Sequence, residues 1–328
     1  MTKRIGVDLG SSFVRIITDD APVFCAPSIL IRDRDGTVIA SGIAARAMVG
    51  KLPKNLEEIR PVRYGAVVDR DACSQMMQAY LEHLGLSSRL TRPDAVVAVP
   101  DSLSTMEREI LREAFYRTNI RKVSFVSATL CAAVGAGLQY RDARGSLLFD
   151  AGGNLCKTAV ISLGHVVSSG VLKGGGETLD AALAEYIRRN CALQIGQQTA
   201  ERLKKTVGTA KFARTGAPIV VIGRDLKSRQ IIRKAVTPEL VLAAFERQMN
   251  AMAALVQKTL SQTPPELCAD IGDYGILLCG GGALLSGFSQ KLADSCRMRV
   301  TVASDPGKTV ADGLRRVLMT GREEEFAL

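Results

Sequence analysis

Residues Leu147 to Gly164 read LLFDAGGNLCKTAVISLG: an apolar run, an aspartate, two glycines, then a second apolar run. The pattern reads as a β-hairpin whose Gly-rich turn brings backbone N–H groups against a phosphate, with Asp150 beside it to hold a metal through water. Asn154, Leu155 and Lys157 fill the rest of the turn, where phosphate-handling loops usually carry Gly, Thr or Ser and an acid. The outline of a nucleotide loop is present, and its polar side chains are altered.

The same plan stands near the N-terminus. RIGVDLGSSFVRIIT (4–18) and SLLFDAGGNLCKTAVIS (146–162) both run apolar strand, D-x-G, short polar turn, apolar strand. Two such hairpins imply two similar α/β lobes, each aiming an Asp-Gly turn at a shared cleft. Around them strands alternate with helices. DAVVAVP (94–100) is a buried strand followed by a capped amphipathic helix, and KVSFVSA (122–128) is a strand followed by a small-residue helix from Thr129 to Leu138. In YGILLCGGGALLSGFSQKLADSC (274–296), Gly280, Gly281 and Gly282 lie between an apolar strand and a helix expected to begin near Ala283. LDAALAEYIRRNCALQIG (179–196) and TAERLKKTVGTA (199–210) have helical spacing, PIVVIGRDLKSRQIIRKA (218–235) reads as a hairpin, and a long helix capped by Thr237 follows. The alternation specifies an α/β fold with central sheets covered on both faces.

Composition narrows the function. A chain of 328 residues, 47% apolar and 23% charged, can bury a large core in two domains or one two-lobed body. The formal net charge of +10 favours an anionic partner, while 5% aromatics and no Trp argue against a base-stacking surface, so no nucleic acid is expected. Eight scattered cysteines without a CxxC suit a reducing compartment. His83 and His165 are the only histidines, which leaves no His-based metal cluster or Ser-His-Asp triad to assemble. MTKRIGVDLG enters a strand without a signal-peptide core, and no apolar stretch approaches the ~20 residues of a membrane span, so a protein neither secreted nor membrane-spanning is expected.

IGVDLGSS (5–12), SGIAARAMVGKLPKNLEEIRPVRYGAVVD (41–69), DAGG (150–153) followed by AVISLG (159–164), IRRNCALQIGQQTAERLKKTVGTA (187–210), TPPELCADI (263–271) and GILLCGGGALLSG (275–287) together resemble the MreB family of bacterial actin homologues. The resemblance runs nearly end to end. It implies an α/β, actin-like fold of the actin and Hsp70 superfamily, with two similar lobes around a nucleotide cleft and four subdomains. These would be IA (1–37, 70–145 and 310–328), IB (38–69), IIA (146–180 and 246–309) and IIB (181–245). It also implies ATP or ADP with Mg2+, and self-association into membrane-associated filaments that organise cell shape and wall synthesis. The implied partners are an anionic membrane surface, another MreB paralogue and cell-wall synthesis proteins; the implied location is cytoplasmic, peripheral at the inner face of the cell membrane.

Carried over residue by residue, the resemblance assigns Asp8, Gly10, Ser11, Ser12 and Phe13 to a first phosphate loop and Asp150, Gly152, Gly153 and Asn154 to a second. Asp8 and Asp150 would hold the metal through water. Glu201 and Lys204 match an E-x-x-K helix that contacts adenosine in relatives, and Gly280, Gly281, Gly282 and Ala283 match the adenosine-side turn. Departures concentrate at the terminal phosphate. Where the family has DLGTAN, this chain puts Phe13 in place of Asn; where it has DIGGGTTE, this chain has Asn154, Leu155, Cys156 and Lys157; where it has EEP, this chain has Ser127, Ala128 and Thr129. The hydroxyl and the carboxylate expected to orient water thus become Leu155 and Ala128, so hydrolysis is expected to be weak or lost, with no catalytic residue assigned. Lys157 either offsets phosphate charge in place of a metal or is a solvated lysine at a strand start. For membrane contact, the loop GLSSRLTRP (85–93) offers Leu86 and Leu90 beside Arg89 and Arg92. Two other readings remain: a pseudo-ATPase that regulates or copolymerises with a competent MreB, and a sugar kinase or Hsp70-like chaperone, whose catalytic Asp or substrate domain is not located.

Overall fold

The computed structural model describes residues 3–18, 21–88, 92–208 and 217–328. Its contacts divide the chain into Met1–Tyr140 with Lys308–Leu328, and Arg141–Gly307.

In the first unit β1 (Arg4–Leu9) and β2 (Phe13–Thr18) form the expected hairpin, and β3 (Phe24–Pro27) pairs antiparallel with β2. A small sheet of β4 (Leu30–Asp33), β5 (Val38–Ser41) and β6 (Leu56–Ile59) carries helix α1 (Gly42–Met48), followed by the short ladder of β7 (Val62–Arg63) with β8 (Ala66–Val67). This sheet starts at Leu30, inside the stretch the sequence assigned to subdomain IA. Helix α2 (Arg70–His83) begins where the Asp69 carboxylate accepts from the Ala72 N–H, β9 (Asp94–Val99) follows, and α3 (Thr105–Tyr116) begins with a Ser104–Glu107 capping box. β10 (Lys122–Ser127) leads into α4 (Ala128–Gly135), whose cap is Ser127. The main sheet has the order β10-β9-β1-β2-β3, with β1, β9 and β10 parallel. β9 is an apolar run rather than an alternating one because it is buried on both faces.

The second unit repeats that sheet. β11 (Ser146–Ala151), β12 (Leu155–Ser162) and β13 (His165–Lys173) are antiparallel neighbours. Helix α5 (Gly176–Cys191) ends at Ala192, and β14 (Leu193–Gln194) then joins a three-stranded sheet with β15 (Ile219–Asp225) and β16 (Ile231–Val236); α6 (Gln197–Val207) lies between β14 and β15 in the chain. Long helix α7 (Pro238–Ser261) and α8 (Pro265–Tyr274) precede β17 (Ile276–Cys279), α9 (Phe288–Cys296) and β18 (Val300–Val302). The order is β13-β12-β11-β17-β18, with β11, β17 and β18 parallel. The internal repeat therefore extends from one hairpin to a whole five-stranded sheet in each unit.

Two local expectations are corrected. Thr237 occupies the start of α7 without a side-chain cap, and Pro238 presets the first turn instead. Gly281–Leu284 is a single 3-10 turn, and the helix expected near Ala283 begins at Phe288, because Gly280 and Gly287 both take positive φ (82° and 74°). Among the described residues no helix is long and apolar enough to cross a membrane.

Candidate functional site

The two hairpin turns close with the same backbone hydrogen bond. The Gly10 N–H donates to the Phe13 carbonyl at 3.0 Å, and the Gly152 N–H donates to the Leu155 carbonyl at 3.0 Å. A Cβ on Gly10 or Gly152 would sit 2.8 or 2.5 Å from those carbonyl oxygens, so the turn admits no side chain there. The register sets Asp8 opposite Arg15 and Asp150 opposite Lys157. Directly opposed side chains in an antiparallel pair are within reach of each other, and both couples close as ion pairs. Arg15 Nη1 is 3.1 Å from Asp8 Oδ2, with side chains 18% and 16% exposed. Lys157 Nζ is 3.0 Å from Asp150 Oδ2, with both side chains 14% exposed.

These pairs bear directly on the expected magnesium. A dication at water-mediated distance from either carboxylate would repel the adjacent guanidinium or ammonium, by about 4 kcal/mol per pair of unit charges at 4 Å and an effective dielectric near 20. A carboxylate already matched by a half-buried cation does not suit Mg2+, and the expectation that Asp8 and Asp150 hold one is corrected on that ground. Lys157 is accordingly not a solvated lysine. Among the described residues no cluster of three or more His, Cys, Asp or Glu is placed to hold a metal ion.

In the first unit the Ser28 hydroxyl donates to the Gly10 carbonyl and the Ser28 N–H to the Ser12 carbonyl at 3.0 Å, tying the Ser11–Ser12 turn to the chain after β3. The Phe13 ring lies beside the guanidinium groups of Arg15 and Arg46, 5.9 and 5.6 Å from its centroid, so the bulky ring is held by cations. Ala128 opens α4 and is buried; the hydroxyls of its neighbours Ser127 and Thr129 both donate to the Asp101 carboxylate.

In the second unit the register sets Asp150 beside Cys279, which brings the glycine turn after β17 to the phosphate loop. A Cβ on Gly280 would collide with Asp150 Oδ1 and the Ala151 carbonyl, and one on Gly282 would lie 2.7 Å from Ala151 Cβ. At Gly281 no atom lies within 4 Å of a Cβ; Ala283 is buried. The opposite flank of the loop is the start of α5. Gly176 and Glu177 N–H groups donate to the Gly152 and Gly153 carbonyls at 3.1 and 2.9 Å, and the Asn154 amide donates to Glu177 Oε2 at 2.7 Å. Leu155 is buried.

Lys204 does not present its charge to an open pocket. Its ammonium donates to the Gly176 carbonyl at 2.7 Å and to Asp180 at 2.8 Å, with Lys204 and Asp180 only 6% and 3% exposed. Burial pushes the Asp180 carboxyl above its ordinary value, and the Lys204 charge opposes that push. The expected adenosine contact is thus a buried tie between α6 and α5, while Glu201 pairs with Lys205 at 2.8 Å. The expectation that Leu86 meets a membrane is corrected too. Leu86 is 2% exposed and packs into the first unit's core with Met77 and Leu81, and Arg92 donates to the Ile120 carbonyl at 2.9 Å. Leu90 and Arg89 lie outside the described residues. Among the features of the site that sequence reading missed is Arg15, whose signal was its place seven residues after Asp8, the spacing Lys157 has from Asp150.

Comparison with known proteins gives a consistent picture. The profile of the family described as MreB/Mbl protein matches residues 2–325. The cell shape-determining protein Mbl of Bacillus cereus is 33% identical over 313 residues, covering 95% of this chain and 94% of that protein. The crystal structure of MreB 5 of Spiroplasma citri bound to AMPPNP is similar over 99% of this chain and 98% of that one, with a TM-score of 0.94 and 27% identity. MamK in its double helical filament shares the fold, with a TM-score of 0.80 at 18% identity over 97% of this chain and 99% of its own. The fold is actin-like.

Proposed function

The chain belongs to the MreB/Mbl family of cell-shape proteins, and from that premise we propose that it is a cytoskeletal protein that binds ATP or ADP and assembles into filaments organising cell shape and wall synthesis. It would act in the cytoplasm, peripheral to the inner face of the cell membrane, with the net charge of +10 favouring an anionic surface. The observation that carries the reading is the pair of Asp-Gly turns closed by the same hydrogen bond, at Gly10 and Gly152, with the Gly280 turn packed against Asp150. Within the second unit, phosphate would meet the backbone of the Gly152 turn and adenosine the open side of Gly281; the Gly10 turn offers phosphate the same kind of backbone in the first unit. The AMPPNP held by MreB 5 supports nucleotide binding, and the MamK filament supports self-association.

Hydrolysis is weak or lost in this reading. Phosphoryl transfer depends on positioning the attacking water and on fixed charge. The buried side chains of Ala128 and Leu155 supply no polar atom for that task. The same observation favours a second reading, a pseudo-ATPase that copolymerises with a competent family member. Electron microscopy of the purified chain with ATP, with ADP and without nucleotide separates the two. Nucleotide-dependent filaments of the chain alone support the first; filaments only on mixing with a hydrolysing MreB support the second; no filaments in either case contradict both.

A further inference from the structure

A loop that brings a phosphate to an aspartate must cancel the repulsion between two anions. A bound dication does this in one way, and a cation fixed in the protein does it in another. Both aspartates here have the second. We propose that Arg15 in the first unit's loop and Lys157 in the second unit's loop each neutralise their own aspartate as a divalent cation would, so that this chain binds a nucleoside diphosphate or triphosphate without a metal. The proposal rests on the nucleotide reading above and specifies the form of nucleotide that the site accepts.

Three observations carry it. The first is the repetition. In each hairpin the cation stands seven residues after the aspartate and two after the residue whose carbonyl closes the turn, and it reaches its aspartate at 3.1 or 3.0 Å. One such pair would be an ordinary cross-strand contact; the same pair at the same register of both phosphate loops, built once from Arg and once from Lys, is a property of this kind of loop. The second is burial. With side chains 14 to 18% exposed, the pairs are shielded from competing solvent, so each aspartate's charge is met by its own strand partner. The third is the surrounding charge. Arg46 joins Arg15 at the Phe13 ring in the first loop, adding a second cation there. A phosphate arriving at either turn therefore meets a neutral pair with its cation already in place, and a guanidinium or ammonium offers phosphate oxygens charge-assisted hydrogen bonds without any metal.

Calorimetric titration of ADP and of ATP into the full chain, once with excess Mg2+ and once with excess EDTA, tests this. The expected dissociation constants in the two media agree within about threefold. Any larger strengthening by Mg2+ overturns the metal-free site while leaving the nucleotide reading standing, and absence of binding in both media overturns both. The double substitution Arg15→Gln with Lys157→Gln is expected to lose at least about tenfold in affinity in EDTA and to recover part of it with Mg2+, because the released carboxylates then accept the dication. If the double variant binds in EDTA as the parent does, the cations play no part and the proposal fails. The pair Arg15→Lys and Lys157→Arg keeps the charges where the Gln variants disturb folding, and it should retain the parent's indifference to Mg2+; a gain of Mg2+ dependence there would also contradict the proposal.

Discussion

Lys204, expected from the resemblance to contact adenosine, is spent inside the protein. Its ammonium balances Asp180 and holds the first turn of α5 through the Gly176 carbonyl. Removing one partner of a buried ion pair leaves an uncompensated charge, so Lys204→Met should destabilise the chain by about 3–5 kcal/mol in urea unfolding. The pH dependence has a definite sign. Burial holds the folded-state value of Asp180 above its ordinary 3.8, so the proton is bound more tightly in the folded protein. The stability this group gives is complete below the unfolded value and is lost as pH rises through the folded one. Without Lys204 the upward shift grows, and the gap between variant and parent should narrow on acidification; a gap independent of pH would contradict the buried-pair account. Leu86 is the converse case, a side chain expected at a membrane and found in the core. Leu86→Ala should cost about 2–5 kcal/mol of stability, measured by denaturant unfolding, whatever it does to vesicle binding.

At the scale of elements, the hairpins were the most legible part of the sequence, because apolar runs flanking D-x-G fix both strand and turn. The ion pairs were not, since a pair that crosses a hairpin is visible only once the register is known, and turn length sets that register. Lys157 drew notice through its departure from the family pattern, while Arg15, inside an apolar strand, drew none. The turn after β17 was legible as glycine-rich but was read as opening straight into a helix; two positive-φ glycines give a 3-10 turn first. Its glycines should separate by role. Gly280→Ala forces a Cβ into Asp150 and the Ala151 carbonyl at φ 82°, and should lower the melting temperature. Gly281→Val meets no atom within 4 Å of its Cβ and should leave the melting temperature nearly unchanged while weakening ADP binding in calorimetry. Equal melting losses in both variants would contradict the assignment.

At the scale of the whole molecule, duplicated motifs anticipated duplicated sheets, β3-β2-β1-β9-β10 in one unit and β13-β12-β11-β17-β18 in the other. Burial of individual loop residues was not legible, because whether Leu86 faces solvent or core depends on α2 and β9 arriving beside it, which no local pattern encodes. In the function proposed above, the scaffold keeps the nucleotide turns, while the buried Ala128 and Leu155 offer no polar side-chain atom to activate water. The most direct test follows the fate of bound ATP in a single turnover, with protein in excess over labelled nucleotide and product separated by chromatography. The account predicts that ATP stays intact over the time in which a hydrolysing MreB converts its own to ADP, and that Ala128→Glu with Leu155→Thr hastens conversion. Conversion by the unmutated chain at the rate of that MreB would contradict it.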